Sequence, residues 1–168
     1  MVGVLGPVLA GAGAFVVMEP LTYAAHRWVM HGAGWVLHRS HHRRRRIDSW
    51  RDRFEANDWF PVMFATGTVA AMAVGTGVES ASILVPVGVG VTLYGAAYAF
   101  VHDVYIHGRV GRLPVLAPLE RLRDAHAIHH LFGGEPYGML CPIVPRELRE
   151  RAAARTTDPL VRRPAPAV

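Results

Sequence analysis

All ten histidines of this chain of 168 residues fall into two copies of one pattern, H-x4-H followed by H-x2-H-H. The first copy is His26, His31, His38, His41 and His42; the second is His102, His107, His126, His129 and His130. A single histidine usually serves as a hydrogen-bonding or interfacial residue, but a set with no member left over does not come from packing alone. Neutral imidazole is a ligand for iron, copper, nickel or zinc, and ten imidazoles exceed what one six-coordinate ion can use. Two ions are therefore the economical reading. Zinc hydrolases generally keep three protein ligands and one open position, which would leave most of these residues idle. Nitrogen-rich sites with open positions suit iron that activates dioxygen.

Spacing constrains how helices present these rings. In H-x2-H-H the residues lie within an arc of about 100° on a helix, so three imidazoles aim at one point. In H-x4-H the two rings are about 140° apart on an ideal α-helix, so the pair must flank an ion or sit where the helix ends or unwinds. The first copy has an obvious place for an interruption at residues 32–34, Gly-Ala-Gly. Candidate ligand-orienting groups are Asp103, beside His102, and Glu19, about two helical turns before His26; Asn57, Asp58 and Asp48 are weaker candidates. No catalytic side chain beyond the metal ligands is expected, because a metal that activates dioxygen supplies the oxidant itself.

The elements that must position these residues are apolar. With 51% hydrophobic residues, the chain concentrates them in blocks at residues 2–18 (extending to about 25), 59–78 and 81–101. Each is near the ~20 residues needed to cross a bilayer as helix; a soluble bundle with buried helices is the bland alternative. Every basic residue is arginine, and none lies inside the three blocks. By the positive-inside rule the run at residues 43–46 is cytoplasmic, so the amino terminus and the turn at 75–80 are outside and the chain after 101 is cytoplasmic. Both histidine copies then follow a span running outward to inward and reach the same face.

Further along, a helix is expected from about residue 117 carrying the last triplet, and the small residues of TLYGAAYAF should let helices pack closely. The first block lacks the basic n-region of a signal peptide and reads as a retained span, with Tyr23 and Trp28 as interfacial anchors. Residues 1–150 form one membrane-embedded domain, and residues 151–168, polar and proline-rich, read as a disordered cytoplasmic tail. The single Cys141 excludes an internal disulfide and disfavours a thiolate site. The net charge of +5 goes with topology and an acidic partner, not nucleic acid.

The boxes HRWVMH, HRSHH, HDVYIH and HAIHH, with the flanking DSWRDRFEANDWF, TLYGAAYAFVHD and YGML, resemble the bacterial carotenoid β-ring hydroxylases of the membrane fatty-acid hydroxylase and desaturase-like di-iron superfamily. The resemblance covers about residues 19–140. It implies an all-α integral membrane protein of three to four transmembrane helices with a histidine-ligated di-metal site at the cytoplasmic face of the bacterial inner membrane. It also implies that all ten histidines bind two non-haem irons. The implied reaction is hydroxylation of carbon 3 of β-ionone rings, β-carotene through β-cryptoxanthin to zeaxanthin, with O2 as oxidant and a ferredoxin with its reductase supplying electrons. A fatty-acid or sterol hydroxylase and a carotenoid ketolase are neighbouring alternatives. A membrane metal-binding or transport protein is the alternative of another class, although transporters place their sites near the bilayer midplane. Because ligation needs neutral imidazole, metal is expected to leave as pH falls through the ordinary histidine range near ~6.5.

Overall fold

In a computed structural model the described residues are 2–43 and 49–155, and every regular element among them is helical. Helix α1, Val2–Ala24, carries no charge before Glu19 and exposes Val4, Leu5, Val8, Leu9 and Val16, as a helix does whose solvent is lipid. Pro7 and Pro20 lie inside it, a placement that membrane helices tolerate. The chain continues without a break into a π-helical segment, Ala25–Ala33, which kinks at Gly32. Helix α2, Trp35–His38, follows. Single 3-10 turns at Trp50–Arg53 and Ala56–Asp58 lead into α3, Trp59–Gly77. After another 3-10 turn comes α4, Leu84–Ala99, which also runs on as a π segment, Phe100–Ile106. Helices α5, Ala117–Phe132, and α6, Arg146–Ala154, complete the fold.

Three continuous helical stretches, Gly3–Ala33, Ala56–Gly77 and Glu79–Ile106, are long and apolar enough to cross a membrane. Among the described residues there is no fourth. Helix α5 supplies none, since it carries Glu120, Arg121, Arg123 and Asp124, charges that hydrocarbon would penalise.

Specific contacts set the relative directions of the spans. Gly11 of α1 meets Pro86 and Gly90 of α4, and Phe15 stands edge-on to Tyr94 at 5.7 Å, so α1 and α4 are parallel. Met72 of α3 meets Gly88, and Gly75 meets Leu84 and Val85, so α3 is antiparallel to α4. The carboxyl ends of α1 and α4 therefore lie at the same end of the bundle, and both π segments emerge there. The small core at that end consists of Val101, Tyr105, Ile106 and Met139, packed by Leu119 and Leu122 of α5.

Three expectations change in detail. TLYGAAYAF packs on α1 through Tyr94, but the tightest backbone approach lies just before it: a Cβ on Gly90 would lie 2.1 Å from the Gly11 carbonyl oxygen, whereas one on Gly95 would meet nothing within 4 Å. Order continues past residue 150, because α6 runs to Ala154 with Ala152 buried and Arg151 stacked 4.9 Å from the Phe132 ring. Tyr23 is not a free interfacial anchor but donates to Glu135 Oε1 at 2.6 Å, while Trp28 is 65% exposed as an anchor should be. Residues 156–168, Arg44, Arg45, Arg46 and the weaker candidate Asp48 lie outside the described residues.

The glycine contacts give a paired prediction. Gly90→Ala drives a methyl into a backbone carbonyl and should destabilise the protein by ~1–3 kcal/mol, read as a lower thermal midpoint in detergent. Gly95→Ala, in open space on the same helix, should be neutral or stabilise by up to ~1 kcal/mol.

Candidate metal centre

The π segments resolve the awkward H-x4-H spacing. A π turn closes hydrogen bonds from i+5 to i, so residues five apart come round to one face instead of opposite flanks. The His107 amide donates to the His102 carbonyl at 3.0 Å in this way, and the Gly34 amide to the Val29 carbonyl at 2.7 Å. The His26 and His31 rings consequently lie 5.1 Å apart, and those of His102 and His107 4.6 Å apart.

The ten histidines form two groups. His26, His31, His38, His42 and His129 offer ring nitrogens all within 4.8 Å of one another, and so do His41, His107, His126 and His130. His102 adjoins the second group, its Nε2 3.0 Å from that of His41. Each group is drawn from one sequence copy except for the middle histidine of the triplet. His41 leaves the first copy for the second group, and His129 makes the reverse exchange.

All ten rings face inward through Nε2, with Nε2-to-Nε2 separations from 2.9 Å (His126–His130) to 3.4 Å (His41–His126). At least five present that nitrogen because the other is fixed behind. The Nδ1–H of His26 donates to the Tyr137 carbonyl at 2.9 Å, of His38 to Asn57 Oδ1 at 2.7 Å, and of His41 to Glu55 Oε2 at 3.3 Å. That of His102 donates to Asp103 Oδ1 at 3.0 Å and that of His129 to the Gly134 carbonyl at 2.5 Å. These oxygens only accept, so the proton belongs on Nδ1 and Nε2 carries a lone pair.

Two contacts then become decisive. His26 and His38 meet Nε2 to Nε2 at 3.1 Å, and His41 and His102 at 3.0 Å. In both pairs each Nδ1 is already committed, so no proton lies between the facing nitrogens. Lone pairs repel at that range unless a cation lies beside both. Ligands about 2.1 Å from one ion and at right angles to each other are ~3.0 Å apart, and at tetrahedral angles ~3.4 Å. The donor set fits a metal centre.

Of the orienting residues expected from sequence, Asn57 and Asp103 touch histidines. Asn57 is itself held, its backbone N–H donating to Ser40 Oγ at 3.0 Å, so the serine of HRSHH positions the residue that supplies the acceptor for His38. Asp58 touches none of them; its Oδ1 receives Arg109 at 2.7 Å and its Oδ2 caps the Glu55 amide at 2.9 Å. Glu19 also orients no ring directly. Its carboxylate accepts the backbone amides of Met139, Leu140 and Cys141 at 2.9, 3.1 and 2.9 Å and the Tyr94 hydroxyl at 2.5 Å. It thus pins to α1 the loop whose Tyr137 carbonyl receives His26.

Sequence reasoning missed Glu55, Arg109 and the two backbone carbonyls. Arg109 reaches Glu55 at 3.2 Å, Asp58 at 2.7 Å and Asp103 at 3.4 Å, so one guanidinium ties together the carboxylates behind His41 and His102. Burial opposes the charge on Arg109, but the Asp58 hydrogen bond and the neighbouring carboxylates outweigh it and raise its pKa. A signal for Glu55 exists in its place two residues before Asn57. Gly133, at φ 64°, ends α5 in the left-handed conformation glycine favours and turns the Gly134 carbonyl back on His129.

A family model described as fatty acid hydroxylase matches residues 11–146. The chain is 40% identical to the β-carotene hydroxylase of Pseudescherichia vulneris over 71% of its own length and 65% of that protein's. It is 36% identical to the chloroplastic β-carotene 3-hydroxylase of Haematococcus lacustris, over 94% of this chain and 50% of the relative. Against the chloroplastic β-carotene hydroxylase 1 of Capsicum annuum it is also 36% identical, over 82% and 44%. The chain spans about half the length of these chloroplastic relatives. No solved structure matches.

Burial lowers the His38 pKa to about 4 and that of His42 to about 3, and it holds His41, His126, His129 and His130 below the ordinary range. The expected metal loss near pH ~6.5 therefore moves down: neutral ligands persist well below it. For metal-free protein the unfolded chain binds protons from ~6.5 downward while the fold resists them, so stability is complete above ~6.5 and falls toward pH 4. Thermal midpoints of chelator-treated protein across that window check the sign. A second expected outcome concerns Glu19. Glu19→Ala frees the 139–141 amides and should lower metal affinity about ten-fold, measured as metal content after dialysis, with helicity retained.

Proposed function

This chain belongs to the fatty acid hydroxylase family, and from that premise we propose that it is a non-haem di-iron monooxygenase of carotenoids. It hydroxylates carbon 3 of β-ionone rings, taking β-carotene through β-cryptoxanthin to zeaxanthin with O2, and a reduced ferredoxin supplies the electrons. The observation that carries this reading is the inward convergence of ten imidazole Nε2 atoms at one end of a bundle of membrane-capable helices. The similarity to β-carotene hydroxylases, one of them bacterial, supports the substrate class.

All ten histidines are the proposed iron ligands. His26, His31, His38, His42 and His129 hold one ion; His41, His107, His126 and His130 hold the other, with His102 at its edge. Iron with nitrogen ligands and open positions supplies the dioxygen chemistry that an unactivated C–H bond requires.

The chain's own residues supply position and dryness. An apolar groove of about 460 Å³ runs among Val29, Met30, Phe60, Phe64, Val87 and Val91, between the first π segment, α3 and α4. Its wall residue Phe60 stands 6.4 Å, ring to ring, from His38. A hydrocarbon arriving through lipid can therefore approach the centre without crossing water. Trp35 covers the first group from outside, 5.3 Å from both His31 and His42. The arginine run at residues 43–46 supports a cytoplasmic location for the centre, where electrons and protons are available.

Expression in a host that accumulates β-carotene should yield zeaxanthin. His41→Ala or His129→Ala should each reduce the product to background with the protein still in the membrane. Accumulation of a ketone such as canthaxanthin would assign the chain to the ketolases. Unchanged pigment with altered lipid or sterol oxidation would assign it to another hydroxylase branch.

A further inference from the structure

The two histidine groups are built alike in ligand type but not in what stands behind the ligands. In the first group the Nδ1 hydrogens of His26, His38 and His129 end on uncharged oxygens: the Tyr137 carbonyl, the Asn57 amide and the Gly134 carbonyl. Around the second group those of His41 and His102 end on carboxylates, Glu55 and Asp103. An imidazole hydrogen-bonded to a carboxylate is a stronger donor at its other nitrogen than one bonded to a carbonyl, because the carboxylate draws the Nδ1 proton and pushes electron density into the ring. Arg109 grips both carboxylates and Asp58, so neither is free to turn away from its histidine.

We propose that the two metal positions are unequal: the position formed by His41, His107, His126 and His130, with His102, takes the first divalent ion, and the position formed by His26, His31, His38, His42 and His129 fills second. Glu55 and Asp103 are positioning residues that create the difference through His41 and His102. The inference rests on the reading of the histidines as metal ligands, but not on the identity of the substrate. The first group has one more closely grouped histidine than the second, so ligand number alone would predict the opposite order. The charge behind the rings decides it.

The experiment is a titration of the full chain, purified in detergent and stripped with a chelator, with cobalt(II), followed by calorimetry and by the cobalt d–d spectrum. Wild-type protein should bind two ions in separate steps at least a hundred-fold apart in affinity. Glu55→Gln and Asp103→Asn keep an acceptor but remove the charge. Each should weaken the tighter step by about ten- to a hundred-fold and leave the weaker step within two-fold. Asn57→Asp does the reverse, placing a charge behind His38, and should tighten the weaker step. His107→Ala should abolish the tighter step and His31→Ala the weaker one. Two equal steps overturn the inequality, as do charge variants that weaken both steps alike or that weaken the second step alone. Failure to bind cobalt at all overturns the metal reading itself.

Discussion

Two imidazole nitrogens that both carry lone pairs do not rest three ångströms apart unless a positive charge lies beside both. That condition shapes this end of the molecule. It requires the rings that meet in this way, His26 with His38 and His41 with His102, to be held from behind, since a free imidazole would turn or shift its proton to relieve the repulsion. The holding groups are drawn from everywhere in the fold. An amide on a 3-10 turn and a carboxylate just before it hold His38 and His41; an acid on the second π segment holds His102; two loop carbonyls hold His26 and His129. The helices of the bundle are, in this sense, scaffolding for these N–H···O bonds. Glu19 belongs to the same scheme at one remove, since three amides of the 139–141 loop end on its carboxylate.

The membrane sets the second constraint. Ring ligands must emerge where the spans end, because buried polar groups are costly in hydrocarbon, and they must emerge together. Parallel packing of α1 and α4 through Gly11 and Gly90 brings the two carboxyl ends side by side. The π segments then widen the helix at the point where an α-helical turn would send two histidines in different directions. Without them each H-x4-H pair would have to reach its ion from opposite flanks.

Much of this was legible in residue order. The repeated histidine spacing, the three apolar blocks and the arginine distribution are enough to place the boxes on membrane helices and at one end of them. The H-x4-H spacing left two arrangements, rings flanking an ion or a helix that ends or unwinds, and the π segments correspond to the second. What could not be read is the support behind the rings. Carbonyls of Tyr137 and Gly134 leave no mark in side-chain chemistry, because any residue offers one. Glu55 gives no local sign of its role, since only folding decides which of the nearby polar residues Glu55, Asn57 and Asp58 face the rings, and the first two do. Glu19 was noticed for being an acid in an apolar span, yet its partners are amides some 120 residues away, a pairing invisible to local periodicity. The exchange of His41 and His129 between groups is hidden for the same reason: adjacent members of a triplet differ by one helical step, and which ion each meets depends on where the other helix lies.

That exchange has a mechanical consequence. An ion in the first group joins His31 to His129, positions 98 residues apart, and one in the second joins His41 to His102, 61 residues apart. With metal bound, the chain is stapled twice across large loops, and the single cysteine means that no sulfur bridge could do the same. Closing a long loop chiefly restricts the unfolded chain, and the restriction grows with loop length. The same ions that would serve oxidation would thus act as reversible cross-links, and stripping them would slacken the tether between the two ends of the sequence.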